Sequence, residues 1–150
     1  MRLLDDERQV LLGEIDAVVE QLRNAEAREV YAELRAAVEA GEVSEGLLPP
    51  LERLLEMGLE TGRIRQVHTA HGEMAALRVF QRTPRGSALK ATCDAANEAL
   101  RSLQGQSLEG LAFAVRGPGA FSLTLETDQT TLTIHVDRHG VRVRNLEVSI

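Results

Sequence analysis

The sequence predicts an α+β fold in which helices precede a C-terminal four-stranded antiparallel β-meander. Residues 5–40 are rich in Glu, Ala, Leu and Arg and contain one Gly and no Pro, a composition typical of long helices or a helical hairpin. From residue 108 onward apolar and polar side chains alternate with a period of two, the spacing of half-buried strands. Between these parts the sequence predicts a central helix, a possible β-hairpin wing and a further helix.

The length and composition suit a domain of ordinary size. The 150 residues are 43% hydrophobic but only 3% aromatic, with no Trp, so Leu, Val and Ala must fill the core. We expect one integrated domain, made of a helical and potentially dimerising segment (1–41), a central part (42–105) and the meander (106–150).

The N-terminal segment fits either one helix or two. Its apolar side chains repeat at steps of three, four or seven over residues 4–25, and the stripe changes phase from Val30 onward. This change marks a stutter in one helix or a break near Asn24. An unbroken helix over residues 5–40 would be about 54 Å long and would favour a homodimer. The alternative is an amphipathic helix pair folded on its own sheet, ended by Gly41.

The central part begins with a short helix at Pro49 and Pro50 that carries leucines on one side and glutamates on the other. Residues 63–82 fit two strands around a turn, although the apolar spacing of their second half also fits a helix, and we favour the strands. The next helix should run from Ser87 to Gln104. With the N-terminal helices it should cover the apolar face of the sheet. Its predicted buried stripe is Leu89, Cys93, Ala96, Leu100 and Leu103.

Turn residues separate the strands of the meander. They lie at residues 117–119, 128–129 and 137–140, and such short turns mean that neighbouring strands pair in order. After Asn145 the apolar residues change parity and become Leu146, Val148 and Ile150. This change predicts a bulge there or a strand that leaves the sheet.

The predicted register places polar side chains in rows on one face of the sheet. One row contains Ser122, His135 and Arg142, and beside it lie Thr124, Thr133 and Arg144. A polar outer face is the ordinary property of an antiparallel sheet that is covered on one side. The alternative is a ligand-binding face, for which the candidate residues are His135, Arg142 and Arg144.

Charge is unevenly distributed along the chain, whose net charge is −6. Residues 1–62 carry 6 basic and 15 acidic side chains, whereas residues 63–90 carry 6 basic and 1 acidic. A basic segment could bind an anionic partner, and Arg82, Arg85 and Lys90 lie near the start of a helix, where backbone N–H groups also attract anions. The alternative is internal pairing with the acidic N-terminal helices. The candidate anion- or nucleic-acid-binding residues are Arg63, Arg65, Arg78, Arg82, Arg85 and Lys90.

Residues 54–59, Leu-Leu-Glu-Met-Gly-Leu, and residues 82–89, Arg-Thr-Pro-Arg-Gly-Ser-Ala-Leu, flank the possible hairpin. Together, segment 51–90 resembles winged helix-turn-helix regulators. The resemblance implies that four of the basic residues, Arg63, Arg65, Arg78 and Arg82, would lie on or beside the wing and contact phosphates. The matching recognition helix, however, carries three Glu and one Arg, which opposes insertion into a DNA groove.

The sequence indicates no catalytic residue, no metal site and no cofactor. His68 and His71 have the right ligand chemistry, but two strand residues three apart do not share a face, and no fourth ligand is near. The single Cys93 cannot form an internal disulfide, which fits a reducing compartment. The chain has no apolar run long enough to span a bilayer, and we expect a cytoplasmic protein without membrane contacts.

These observations favour a non-enzymatic interaction or regulatory protein that acts through oligomerisation and protein contacts, with a homodimer expected. The first alternative is a DNA-binding winged-helix transcription regulator. The second is a small-molecule or anion-binding module that uses the outer face of the sheet. The protein partner cannot be identified from the sequence.

Overall fold

The computed structural model describes residues 1–148, and the predicted α+β class is confirmed. Within these residues five α-helices precede four strands. The helices are α1 (Asp5–Gln21), α2 (Ala25–Ala40), α3 (Leu48–Glu60), α4 (Arg63–Phe80) and α5 (Pro84–Arg101). The strands are β1 (Leu108–Gly117), β2 (Ala120–Thr127), β3 (Thr130–Asp137) and β4 (Gly140–Val148). No helix in the described part is long and apolar enough to cross a membrane.

The chain forms two compact units, one over Met1–Ser87 and one from Ala88 onward. The first unit is helical, and its core is built from aliphatic side chains of α1 to α4. Its fully buried side chains include Leu11, Ile15, Leu51 and Leu55. Helices α1, α2 and most of the predicted central part therefore share one hydrophobic core.

The N-terminal segment is two helices, as the phase change allowed. Asn24 caps α2, because its side-chain oxygen accepts hydrogen bonds from the backbone N–H groups of Glu26 at 2.8 Å and Ala27 at 3.3 Å. Gly41 ends α2 in the left-handed conformation (φ 79°), which costs glycine little. Of the two alternatives, the break near Asn24 is thus the correct one, and the single 36-residue helix is excluded.

The β-hairpin predicted for residues 63–82 is wrong, because this segment is helix α4. Apart from Ile64 near its start, its buried residues are small or medium-sized and follow helical spacing: Gly72, Ala75, Ala76 and Val79. Small side chains let a helix approach its neighbours closely, so they bury this face without the bulky residues that mark a core stripe. The helix is interrupted at Thr69, the one non-glycine residue in the described chain with positive φ (64°). This interruption lies at the edge of the predicted turn.

Helix α5 begins at Pro84, three residues before the predicted start. Thr83 precedes it, and its hydroxyl accepts a hydrogen bond from the backbone N–H of Gly86 at 3.2 Å, which satisfies a free donor of the first turn. The predicted buried stripe is wrong for most of its length. Only Ala96 is buried, while Cys93 and Leu100 are exposed.

The meander has the predicted strand order, β1-β2-β3-β4, with every neighbouring pair antiparallel. The turns occupy the predicted positions. A bulge in β4 is confirmed but lies one residue earlier than predicted: Ile134 pairs with Val143 and Thr133 pairs with Asn145, so Arg144 is the extra residue. The strand stays in the sheet to Val148, and Ile150 lies outside the described residues.

Candidate interaction face and basic residues

The second unit carries an extended apolar surface on one side of its sheet, here called the apolar face. The register places Leu111 opposite Leu125 and Phe113 opposite Leu123, and continues through Ile134 to Val143 on the same side. In the described residues, every position of this face is Leu, Ile, Val, Phe or Thr. The face consists of Leu108, Leu111, Phe113, Val115, Phe121, Leu123, Leu125, Thr127, Thr130, Leu132, Ile134, Val136, Val141, Val143, Leu146 and Val148.

Most of the apolar face is exposed, so α5, which belongs to the same unit, does not cover it as predicted. Nine of its large hydrophobic side chains are 36–75% exposed, and the highest values belong to Phe113 (70%) and Val115 (75%) on β1. In contrast, Leu132 and Ile134 on β3 are buried, with 0% and 3% exposed. Monomeric proteins seldom leave so large a contiguous apolar surface in water, and such surfaces mark interaction sites.

Helix α5 lies beside β4 in the same unit. The Thr92 hydroxyl accepts a hydrogen bond from the backbone N–H of Val141 at 3.1 Å, and a Cβ added at Gly140 would lie 2.3 Å from that hydroxyl. A cleft of about 840 Å³ is lined by α5 and β4 residues, among them Ala95 and Leu146. Helix α5 therefore approaches the sheet at its β4 edge, far in the strand order from β1.

The opposite, polar face has the row predicted from the sequence. Ser122 pairs with His135, and His135 pairs with Arg142. Thr124 pairs with Thr133, but the next residue in that row is Asn145 rather than Arg144, because Arg144 is the bulged residue.

Charged groups surround His135 on the polar face. Burial lowers the pKa of its imidazole, and the charges of Arg116, Arg144 and Arg142 lower the pKa further. Arg142 also forms an ion pair with Asp137. The pKa of Asp137 is lowered, first by the hydrogen bond from the backbone N–H of His139 and then by Arg142.

Three of the six basic candidates pair with carboxylates of α1. Arg82 reaches Glu7 at 2.6 Å, Arg78 contacts Asp6 and Glu7, and Arg63 contacts Glu14. The internal pairing considered for this segment is therefore present for these arginines. The Arg78 guanidinium also lowers the pKa of Asp6 by hydrogen bonding to its carboxylate.

The other three basic candidates pair elsewhere. Arg65 meets Glu73 within α4 at 3.4 Å, and Lys90 meets Asp94 one turn along α5 at 2.7 Å. Arg85 forms an ion pair with Glu56 of α3. Its partner therefore lies in the central helix and not in the N-terminal helices, the partners expected under the alternative of internal pairing. The helix start at Arg85 is also occupied, because its backbone N–H donates to the Glu52 carboxylate at 2.9 Å. Binding of an external anion by these six residues stays a prediction.

Sequence reasoning missed two buried carboxylates, Glu7 and Glu14. Their residues are only 2% and 1% exposed, and both lie on the acidic helix α1. Glu14 is held by Arg63 and by His68, whose Nε2 lies 3.0 Å from its carboxylate oxygen. The signal was present, since the two glutamates are seven residues apart on the face of α1 that carries Leu11.

His68 and His71 do not converge on a metal site. His68 faces Glu14, whereas the exposed His71 lies 3.7 Å from Asp6. Across residues 1–148 no group of three or more His, Cys, Asp or Glu side chains is arranged to hold a metal ion. Comparison with protein-family models, curated proteins and solved structures finds no match to this chain.

Proposed function

We propose that this chain is a non-enzymatic interaction protein whose sheet binds another polypeptide through the apolar face. The observation that carries the proposal is the set of nine large hydrophobic side chains left 36–75% exposed on one side of one sheet. Burying apolar surface contributes about 25 cal/mol for each Å² removed from water. Covering this face would therefore supply a strong driving force for association. A cytoplasmic location is part of the proposal, consistent with the free Cys93 thiol.

This proposal moves the expected association surface from the N-terminal helices to the sheet. The argument for the helices was one long helix that a single domain could not cover, and the structure has two shorter ones. The apolar residues of α1 and α2, such as Leu11, Ile15 and Leu34, are buried in the core of their own unit. Nine of the sixteen exposed large hydrophobic side chains in the described residues belong to the sheet.

The test compares two double substitutions on the same strand. Phe113→Asp with Val115→Asp places two charges on the apolar face, whereas Ala112→Asp with Ala114→Asp places them on the polar face of β1. The native size of the full chain is measured in gentle extracts of its source cells by size-exclusion chromatography with immunodetection. We expect the wild type and the alanine-site variant to elute above the 16.4 kDa monomer, and the Phe113 and Val115 variant to elute as a monomer. A wild type of monomer size would refute the proposal.

A second candidate function, binding of a small anion, is favoured by the polar face. Three arginines, Arg116, Arg142 and Arg144, act electrostatically on one histidine, His135. Only Arg142 among these three has an ion-pair partner within the described residues. Guanidinium groups around a neutral imidazole offer several hydrogen-bond donors to a phosphate-like group.

The pKa of His135 tests this second candidate. Its pKa is lowered in the folded chain, so between the folded and unfolded values the unfolded state binds more protons, and stability falls as pH drops through that window. A bound anion would favour the imidazolium and raise the folded pKa. We expect inorganic phosphate to raise the His135 pKa measured by NMR titration, and to raise it less in Arg144→Gln. An unchanged pKa at saturating phosphate would exclude this site.

A further inference from the structure

We infer that the occupant of the apolar face is a second copy of this chain, seated with its own apolar face against the first. This inference rests on the proposed function and names its partner. The contact would be symmetric, with the same surface contributed by both copies.

The distribution of burial locates the contact within the sheet. Leu132 and Ile134 of β3 are already buried, whereas the most exposed large hydrophobic side chains of the sheet, Phe113 and Val115, lie on β1. On β2, Phe121 is exposed and Leu123 is half-buried. The uncovered area is therefore centred on β1 and β2, away from the α5 side of the sheet.

The chemistry of the face permits self-association. In a two-fold symmetric contact, residues near the axis meet their own copies, so a charged residue there would face a like charge. The apolar face has no charged residue: besides its aliphatic and aromatic side chains it contains only Thr127 and Thr130. The polar face differs in this respect, because the charges of Arg116, Arg142 and Arg144 all act on His135 there.

The whole face is of the order of size that a dimer interface needs, and the exposed side chains at its β1, β2 and β4 positions are the part open to a partner. Four strands about 4.8 Å apart, each of about eight residues at about 3.3 Å per residue, cover roughly 500 Å² in projection. Because side chains protrude from the sheet, the accessible area is larger than this flat projection. It approaches the value of about 800 Å² per partner that specific interfaces bury. Two sheets that meet face to face lie about 10 Å apart, with their side chains interdigitated.

Single-cysteine crosslinking of the purified full chain tests the geometry. The background is Cys93→Ser, because Cys93 is exposed. One pair of positions is on the apolar face, Phe113→Cys and Phe121→Cys, and its matched pair is on the polar face of the same strands, Ala112→Cys and Ser122→Cys. We expect a mass near twice 16.4 kDa by light scattering, and disulfide-linked dimers at least tenfold more abundant for the apolar-face pair.

Three outcomes would overturn the inference, and they differ in what they mean for the proposed function. A purified chain that stays monomeric at all concentrations, with Phe113→Asp still reducing its native size in extracts, would leave the proposed function standing and assign the face to a different protein. Equal crosslinking at Phe113 and Ala112 would indicate pairing along the β1 edge instead of face-to-face packing. A dimer whose mass is unaffected by Phe113→Asp would refute the inference and the proposed function together.

Discussion

Two buried glutamates hold the basic segment of the helical unit, and they explain the charge pattern of the chain. Glu7 and Glu14 are almost fully buried on α1, and each is contacted by an arginine from the segment over residues 63–90. A buried carboxylate without a partner is unfavourable by several kcal/mol. Loss of an arginine should therefore destabilise the fold more than the arginine alone would lose, because the partly exposed arginines can still be hydrated by water. The two opposite charge blocks of the sequence are therefore structural complements.

Substitution of Glu14 by Gln measures this dependence. The neutral amide loses the charge-assisted contacts with Arg63 and His68, while Arg63 is about a third exposed and keeps part of its hydration. We expect the free energy of unfolding to fall by about 2 kcal/mol, as seen by urea denaturation. Glu20→Gln, on the exposed side of the same helix, serves as the control and should change stability by less than about 0.5 kcal/mol. Equal effects of the two changes would contradict the structural role of Glu14.

Backbone strain at Thr69 gives a second prediction at the scale of single residues. Its φ of 64° is unfavourable for a β-branched side chain, and the residue is exposed, so its side chain adds little packing. Thr69→Gly should raise the free energy of unfolding by about 1 kcal/mol through relief of this strain. Ala70→Gly, one residue later, should lower it by about 1 kcal/mol. A destabilising Thr69→Gly in thermal or urea unfolding would show that the positive φ carries no cost.

At the scale of elements, the sheet was predictable because its strands and turns are specified by residues that are close together in the sequence. The alternation from Phe121 to Val136 fixes which residues share a face, and two-residue turns leave one way to pair neighbouring strands. The cross-strand row of Ser122, His135 and Arg142 follows from this alternation and these turns. Helix α4 was not predictable in the same way, because the middle of its buried face is Gly72, Ala75 and Ala76, whose burial depends on how closely neighbouring helices approach. An apolar stripe on α5 likewise does not specify what covers it.

The contact between α5 and the β3-β4 turn can be tested at Gly140. Gly140 has a φ of 113°, and an added Cβ would meet the Thr92 hydroxyl at 2.3 Å, whereas Gly119 has a φ of 68° and open space around it. Gly140→Ala should therefore cost about 2–3 kcal/mol by combining backbone strain with overpacking, and Gly119→Ala about 1 kcal/mol from strain alone. Urea denaturation measures both changes. Thr92→Ala should restore part of the loss in Gly140→Ala, and a strictly additive double variant would contradict the contact.

At the scale of the whole molecule, association and nucleic-acid binding respond to salt in opposite ways. A face-to-face contact between uncharged apolar surfaces should persist as the salt concentration rises, since no ion pair holds it. Binding to DNA through arginines should weaken steeply over the same range, because counterions compete for the phosphates. The chain has a net charge of −6, and all six basic residues of segment 63–90 have carboxylate partners.

Light-scattering mass across a salt series, with and without sheared DNA, separates these two modes of action. We expect a mass near twice 16.4 kDa that does not fall between low and high salt and does not change when DNA is added, because the six basic residues of segment 63–90 have carboxylate partners in their own chain. Arg65→Glu with Arg78→Glu is the matched variant. In this variant the mass measured with DNA should be the same as without it, as in the wild type. The free energy of unfolding should fall, since Arg78 contacts Asp6 and Glu7. A larger species that forms with DNA at low salt, dissolves as salt rises and is lost in the variant would establish the regulator instead.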